Sequence, residues 1–253
     1  MELKDKVIAI TGGAQGLGLA MARVFAARGA RLAIIDINAD VLAAAAKTLR
    51  EQGGDVETFV TNVADEDSVV ATFEAIASHF GQLNGLINNA GITRDGLMLK
   101  VKDGEVVDRM SLAQWQLVID VNLTGVFLCG REAAAQMINT GSEGVIINIS
   151  SISRAGNFGQ TNYSAAKSGV AAMAVTWAKE LARFSIRTGV IAPGFIATDM
   201  VMGMKPEALE KMAAGIPQKR LGQPEEIAQM AISIFENDYI SGRIFEVDGG
   251  LRL

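Results

Sequence analysis

The chain has one cysteine, Cys129, and one histidine, His79, among 253 residues. A single thiol forms no internal disulfide, and one thiol with one imidazole makes no zinc-type ligand cluster, so no metal site is expected. A Ser-His-Asp triad would have to run through His79, which falls in a helix-patterned stretch (AIASHFGQL) and reads as a surface residue. Positive charge is also scarce: 23 Lys and Arg against 28 Asp and Glu leave a net charge of −5, without the basic patch of a nucleic-acid binder. Apolar runs are short, none approaching the roughly 18 residues of a bilayer span. The run that follows MELKDK breaks at Thr11-Gly12, before it reaches the length of a signal-peptide core. A cytoplasmic protein with neither a membrane nor a nucleic-acid partner is the expectation.

Proline is missing from the first 192 residues; Pro193, Pro206, Pro217 and Pro224 all follow it. The uninterrupted part alternates short apolar runs with helix-patterned segments. Val7–Ile10, Leu32–Ile35, Val56–Val60, Leu83–Ile87, Val145–Ile149 and Thr188–Ala192 read as strands buried on both faces. Between them, residues such as Leu17, Met21, Val24 and Phe25 recur at helical spacing. This pattern predicts an α/β fold, a doubly wound parallel sheet with helices on both faces, in a single domain spanning 1–253. The proline-bearing stretch 193–223 predicts a long loop with a short helix over the ligand crevice. Residues 99–107 (LKVKDGEVV) alternate around Asp103-Gly104 and predict a projecting β-hairpin with a type I′ turn.

Glycine is abundant, 27 residues, and its placement is specific. After the first strand comes Thr11-Gly12-Gly13-Ala14-Gln15-Gly16-Leu17-Gly18 and then a helix. A glycine turn at a helix N-terminus offers free N–H groups and the positive helix end to a phosphate. Asp36 closes the second strand 18 residues after Gly18, with Ile37 beside it, near the position of an acid that binds the adenosine ribose diol. A carboxylate there repels a 2′-phosphate, and no Arg follows before Arg50, so NAD(H) is expected over NADP(H).

One of only two tyrosines opens a helix as Tyr163-Ser164-Ala165-Ala166-Lys167. Positions i and i+4 share a face, and Val170, Ala174 and Trp177 extend that face as an apolar one, which turns Lys167 inward. An ammonium and a helix N-terminus near a phenol favour the phenolate, so the Tyr163 pKa is expected below its usual value of about 10.

With these residues in place the chain resembles the short-chain dehydrogenase/reductases over essentially its whole length. The matching segments are Thr11–Gly18, Asn88-Asn89-Ala90-Gly91, Asn122, Ile149-Ser150-Ser151, Tyr163 with Lys167, Pro193–Thr198 and Val247–Gly250. The resemblance implies a Rossmann-like fold, a nicotinamide cofactor and a homotetramer. It implies that Tyr163 is the general acid of carbonyl reduction, that Lys167 holds the nicotinamide ribose, that a serine polarises the carbonyl and that Asn122 holds a relaying water. The serine usual at 13 residues before the tyrosine would be Ser150, whereas the strand pattern picks Ser151, 12 residues before it. Ser151 is preferred, because a shortened loop is absorbed more easily than a strand slip that reverses every side chain.

By the same resemblance the cofactor lies against Gly12, Gln15, Gly16, Leu17 and Gly18, with Asn62 and Val63 at adenine and Asn89, Ala90 and Gly91 near the adenosine ribose. Pro193, Gly194, Ile196 and Thr198 fall at the nicotinamide. Ile92-Thr93-Arg94-Asp95 and Gly159–Tyr163 are similar to the 3-oxoacyl acyl-carrier-protein reductase branch. The expected substrate is a 3-oxoacyl thioester or a small or cyclic ketone, interconverted with a secondary alcohol. Docking of an acidic carrier protein needs a basic surface, and Met137–Gly144 has no Lys or Arg, which argues against it. The alternative class is a non-catalytic cofactor-binding module on the same fold.

Overall fold

The computed structural model describes residues 1–252. The strands in chain order are β1 (Val7–Thr11), β2 (Arg31–Asp36), β3 (Val56–Val60), β4 (Gly85–Asn88), β5 (Leu99–Lys102), β6 (Glu105–Arg109), β7 (Gly144–Ile149), β8 (Ile186–Pro193) and β9 (Arg243–Val247). Seven of them form one parallel sheet in the order β3-β2-β1-β4-β7-β8-β9. The order reverses between β1 and β4, the position at which such sheets open a crevice beyond their carboxyl ends.

The helices are α1 (Gly16–Ala26), α2 (Ala39–Glu51), α3 (Glu66–Phe80), α4 (Leu112–Ile119), α5 (Gly125–Asn139), α6 (Thr161–Glu180), α7 (Asp199–Met202), α8 (Pro206–Gly215) and α9 (Pro224–Glu236). Alternation along the strands builds two cores. Ile8, Ile10, Leu32 and Ile34 face α1, α2 and α9, where Phe25 and Phe235 meet edge to face at 5.0 Å. Ala9, Ala33 and Ile35 face the opposite way, towards Phe73 and Ile76 of α3 and Leu128 and Cys129 of α5.

Several expectations need correction. β3 is an edge strand and is not buried on both faces: only Val56 is buried, and Val60 is 60% exposed. Leu83 precedes its strand, which starts at Gly85. The last strand, β9, was absent from the sequence reading, because Arg243 and Glu246 interrupt its apolar pattern. The single short helix expected after Pro193 is two helices, α7 and α8.

Residues Leu112–Asn139 form one helix of 28 residues, with a mean hydropathy of 1.3 in its most apolar stretch, long and apolar enough to cross a membrane although no consecutive run announces it. In the fold it is a layer helix, with Val118, Asn122, Val126 and Met137 buried.

The β5–β6 hairpin forms as expected, with positive φ at both Asp103 (52°) and Gly104 (83°), the requirement of a type I′ turn. Every residue of its two strands is exposed.

Gly85, where β4 enters the centre of the sheet, has no room for a side chain. A Cβ there would stand 2.6 Å from both Ile8 Cδ1 and Phe235 Cε1. Gly85→Ala is expected to destabilise the protein by ~1–3 kcal/mol through overpacking, read from the midpoint of a urea transition.

Candidate active site

The glycine turn is shaped by backbone geometry. Gly12 (φ 60°) and Gly16 (φ 51°) occupy the left-handed region that favours glycine. At Gly18 a Cβ would fall on the Gly12 carbonyl oxygen. The turn is pinned to the end of β4: Asn89 Nδ2 donates to the carbonyls of Thr11 and Gly12, both at 3.1 Å. In return the Thr11 hydroxyl accepts from the backbone N–H groups of Asn89 (3.0 Å) and Ala90 (3.1 Å). Asn38 and Asp65 cap α2 and α3 with their side chains, but Gln15 makes no such bond to α1, whose first turn also lacks an acid. The leading N–H groups of α1 therefore stay open towards an anion.

Two cavities flank the turn and share Gln15, Gly91 and Ile92 in their walls. The smaller, about 230 Å³, is bounded by Asp36, Ile37, Asn62, Val63 and Ala90 together with Gly12. Asp36 Oδ1 accepts from Asn38 N–H at 3.2 Å, and no lysine or arginine lines this cavity. Asn62 spends its oxygen on Ala64 N–H (3.1 Å), which leaves its amide nitrogen as the donor. Arg50 is directed elsewhere, to the Val56 carbonyl (2.6 Å) and Glu57 (3.5 Å).

The larger cavity, about 580 Å³, gathers Ser151, Tyr163 and Lys167 with Leu17, Gly194, Ile196 and Thr198. Ser150 and Ser151 both line this cavity and differ in their partners. Ser150, 2% exposed, donates its hydroxyl to the Lys167 carbonyl at 2.7 Å. Ser151 begins the short 3-10 turn Ile152–Ala155, and its hydroxyl accepts from Ser153 N–H at 3.1 Å in the wall of the cavity that holds Tyr163. Pro193 ends β8; at Gly194 a Cβ would approach Asp248 Cα to 2.7 Å. Ile196 is buried, and the chain is pinned on either side of it by Gly222 N–H to Phe195 O (2.9 Å) and Ala197 N–H to Gly222 O (2.8 Å).

The expected acidification of Tyr163 is not what the site produces. Burial pushes the phenol above its ordinary value; the Ser151 hydrogen bond opposes this more weakly, and the Asp95 charge adds to the rise. Lys167 is itself buried. Its Nζ donates to the Ile149 carbonyl at 2.8 Å and lies 5.6 Å from the centre of the Tyr163 ring, over the ring face. Loss of solvation brings the lysine down to about 8.

Asn122 is fixed by its own hydrogen bonds. It lies in a π-helical turn, Asp120–Thr124, between α4 and α5. Its Nδ2 donates to the carbonyls of Ile92 (2.8 Å) and Val118 (3.1 Å), while its Oδ1 accepts from Ile92 N–H at 3.0 Å. Both amide hydrogens are thus committed, and the side chain clasps the Ile92 backbone.

Sequence reasoning missed the groups that seat α6. The Asn148 amide donates to the Val170 carbonyl (3.0 Å), and the Thr188 hydroxyl to the Ala174 carbonyl (2.6 Å). With Ser150, just beyond β7, on Lys167, three side chains hold carbonyls 167, 170 and 174 along one helix face. Asn88 completes Asn148 from the neighbouring strand at 3.0 Å. The available signal was polar residues inside otherwise apolar strands.

Residues 12–252 match the family described as enoyl-(acyl carrier protein) reductase. Over 254 positions the chain is 40% identical to the 3-oxoacyl-(acyl-carrier-protein) reductase of Thermotoga maritima, covering 99% of each chain. It is 41% identical over 250 residues to the Homo sapiens 3-oxoacyl-(acyl-carrier-protein) reductase, covering 98% of this chain and 99% of that one. A solved structure from Agrobacterium tumefaciens, named as a candidate gluconate dehydrogenase, superposes with a TM-score of 0.89 at 33% identity, over 99% of this chain and 97% of that one. The chain belongs to the short-chain dehydrogenase/reductases. It is an oxidoreductase of CH–OH groups, of a class that uses a nicotinamide cofactor.

Two outcomes follow for the site. Gly18→Val is expected to weaken cofactor binding by at least about tenfold, since the added carbons displace the Gly12 carbonyl and the turn with it; a fluorescence titration reads this. The second concerns Lys167. Because its folded pKa of about 8 lies below the unfolded value of 10.5, the unfolded chain holds more protons between those limits and stability rises with pH across them. Lys167→Met is expected to flatten that rise in urea transitions run between pH 8 and 10. Above about pH 10 the raised Tyr163 acts in the opposite sense, because the unfolded phenol ionises first.

Proposed function

We propose that the protein is an NAD(H)-dependent reductase and dehydrogenase that interconverts a ketone, a 3-oxoacyl thioester or a small or cyclic ketone, with its secondary alcohol, using Tyr163 as acid and base. The convergence of Ser151, Tyr163 and Lys167 on one cavity beside the glycine turn carries this reading. The residues suit such a cofactor: an open helix terminus at a turn without room for side chains, and a groove running to both sides of it. The turn and Gln15 would hold the pyrophosphate, Asp36 the adenosine ribose, Asn62 and Val63 the adenine, and Ile196 and Thr198 the carboxamide. Bound there, the nicotinamide supplies or accepts hydride at the substrate carbon.

The chain's own groups handle the proton. Ser151 donates to the substrate oxygen and Tyr163 delivers the proton that the developing alkoxide requires. A phenol raised by burial stays protonated at neutral pH, the state that reduction needs. Lys167 fixes the Tyr163 ring from its face and would donate to the nicotinamide ribose. Asn122 positions the segment starting at Ile92. The loop 193–223 forms an outer wall of the substrate site in this reading.

NAD(H) is favoured by the Asp36 carboxylate in a cavity without a cation. The long helix Leu112–Asn139, with Leu112, Leu117 and Phe127 exposed, favours assembly into a homotetramer. A cytoplasmic enzyme acting on free ketones or coenzyme A thioesters, without carrier-protein docking, completes the reading.

The test is oxidation of NADH and NADPH against a panel of ketones and 3-oxoacyl thioesters. Tyr163→Phe is expected to lower kcat by at least about a hundredfold; an unaltered rate refutes the mechanism. Ser151→Ala is expected to impair turnover far more than Ser150→Ala. Asp36→Ala is expected to narrow the preference between the two cofactors. Reduction should hold across neutral pH while alcohol oxidation climbs as pH rises, because oxidation needs the deprotonated phenol.

A further inference from the structure

Arg94 lines the same cavity as Ser151 and Tyr163, yet nothing in the hydride chemistry uses it. The backbone around it is held on both sides. Asn122 clasps Ile92, as described, and the Arg94 carbonyl accepts from Asn162 Nδ2 at 3.1 Å and Gln114 Nε2 at 3.0 Å. Asn122 and Asn162 are both 0% exposed. The neighbouring carboxylate, Asp95, is turned to Gln160, whose Nε2 donates to Asp95 Oδ2 at 2.9 Å. The Arg94 guanidinium is left with one bond, Nη1 to the Thr93 carbonyl at 2.7 Å. Among the described residues no carboxylate lies within ion-pair distance of it, although 28 acidic side chains outnumber the basic ones in this chain.

A rigidly seated backbone that presents an unneutralised, forked donor to a substrate cavity is an arrangement for binding an anion. We propose that Arg94 is a substrate-anchoring residue, pairing with an anionic group, a carboxylate or a phosphate ester, on the part of the substrate away from the reacting carbonyl. This rests on the reading of the cavity as a ketone site and adds a charge requirement to it. Uncharged ketones of similar size then bind without that anchor, and added salt weakens the preference for charged ones.

The experiment compares the parent enzyme with Arg94→Met and Arg94→Lys, each with NADH, on three substrates: acetoacetyl coenzyme A, free acetoacetate, and the uncharged N-acetylcysteamine thioester of acetoacetate. In Arg94→Met the ratio of kcat/KM for a charged substrate to that for the neutral thioester is expected to fall by about tenfold or more, mainly through KM. Arg94→Lys is expected to retain part of it. A fall confined to the coenzyme A ester assigns a phosphate ester, and one confined to acetoacetate a carboxylate. Equal losses on charged and neutral substrates, or no losses, overturn the proposal.

Calorimetric titration of the NADH-loaded parent and Arg94→Met proteins with coenzyme A and with malonate supplies a readout independent of turnover. If the parent reduces none of the three substrates, the ketone reading fails by itself. The anion site then stands if Arg94→Met loses that binding and falls if both proteins bind alike.

Discussion

The seating of α6 on the sheet governs the rest of the structure. Tyr163 and Lys167 ride on that helix, whereas Ser151 stands at the end of β7, so their meeting depends on where the helix lies relative to the strands. Side chains from β7 and from the residue just beyond it, with Thr188 of β8, grip its carbonyls at 167, 170 and 174. Directional bonds specify position along the helix axis, which apolar packing alone leaves loose, and they are strengthened by burial. A slide of one turn would displace the phenol by about 5.4 Å along the helix axis.

The electrostatics of the site follow from the same burial. The cavity takes solvent away from the phenol and the lysine alike, so each is biased towards its neutral form. The result differs from a cation acidifying a phenol in water: desolvation dominates, and Ser151 is the group that moderates it. At the opposite end of the groove the Asp36 side chain keeps a backbone N–H partner in an open strand end. One site thus contains a dehydrated half suited to proton transfer and a solvated half suited to recognising hydroxyls.

Much of the architecture was legible because it is local. Strand–helix alternation, the glycine turn and the Asp103-Gly104 hairpin each rest on residues adjacent in the chain. The choice between Ser150 and Ser151 also rests on neighbouring residues, and the two hydroxyls have different partners, the Lys167 carbonyl for Ser150 and the Ser153 N–H for Ser151. What escaped was non-local. The clasp of Asn122 on Ile92 spans 30 residues, and the grip of Thr188 on α6 depends on two elements whose contact no periodicity announces. Arg50 was the nearest downstream arginine by position, but packing turned it to Val56 and Glu57. The phenol pKa was misjudged because a pairwise argument omitted the cavity around the pair.

The π turn at Asp120–Thr124 has a consequence for how one long helix serves two neighbours. An extra residue in a single turn rotates everything beyond it by about 100° relative to a regular helix. The segment before the turn can therefore lean on α6 while the segment after it leans on α3, although no loop separates them. The irregularity acts as a phase shifter, and Asn122 sits at its centre. Excising one residue there would straighten the register and leave only one of the two halves facing its partner.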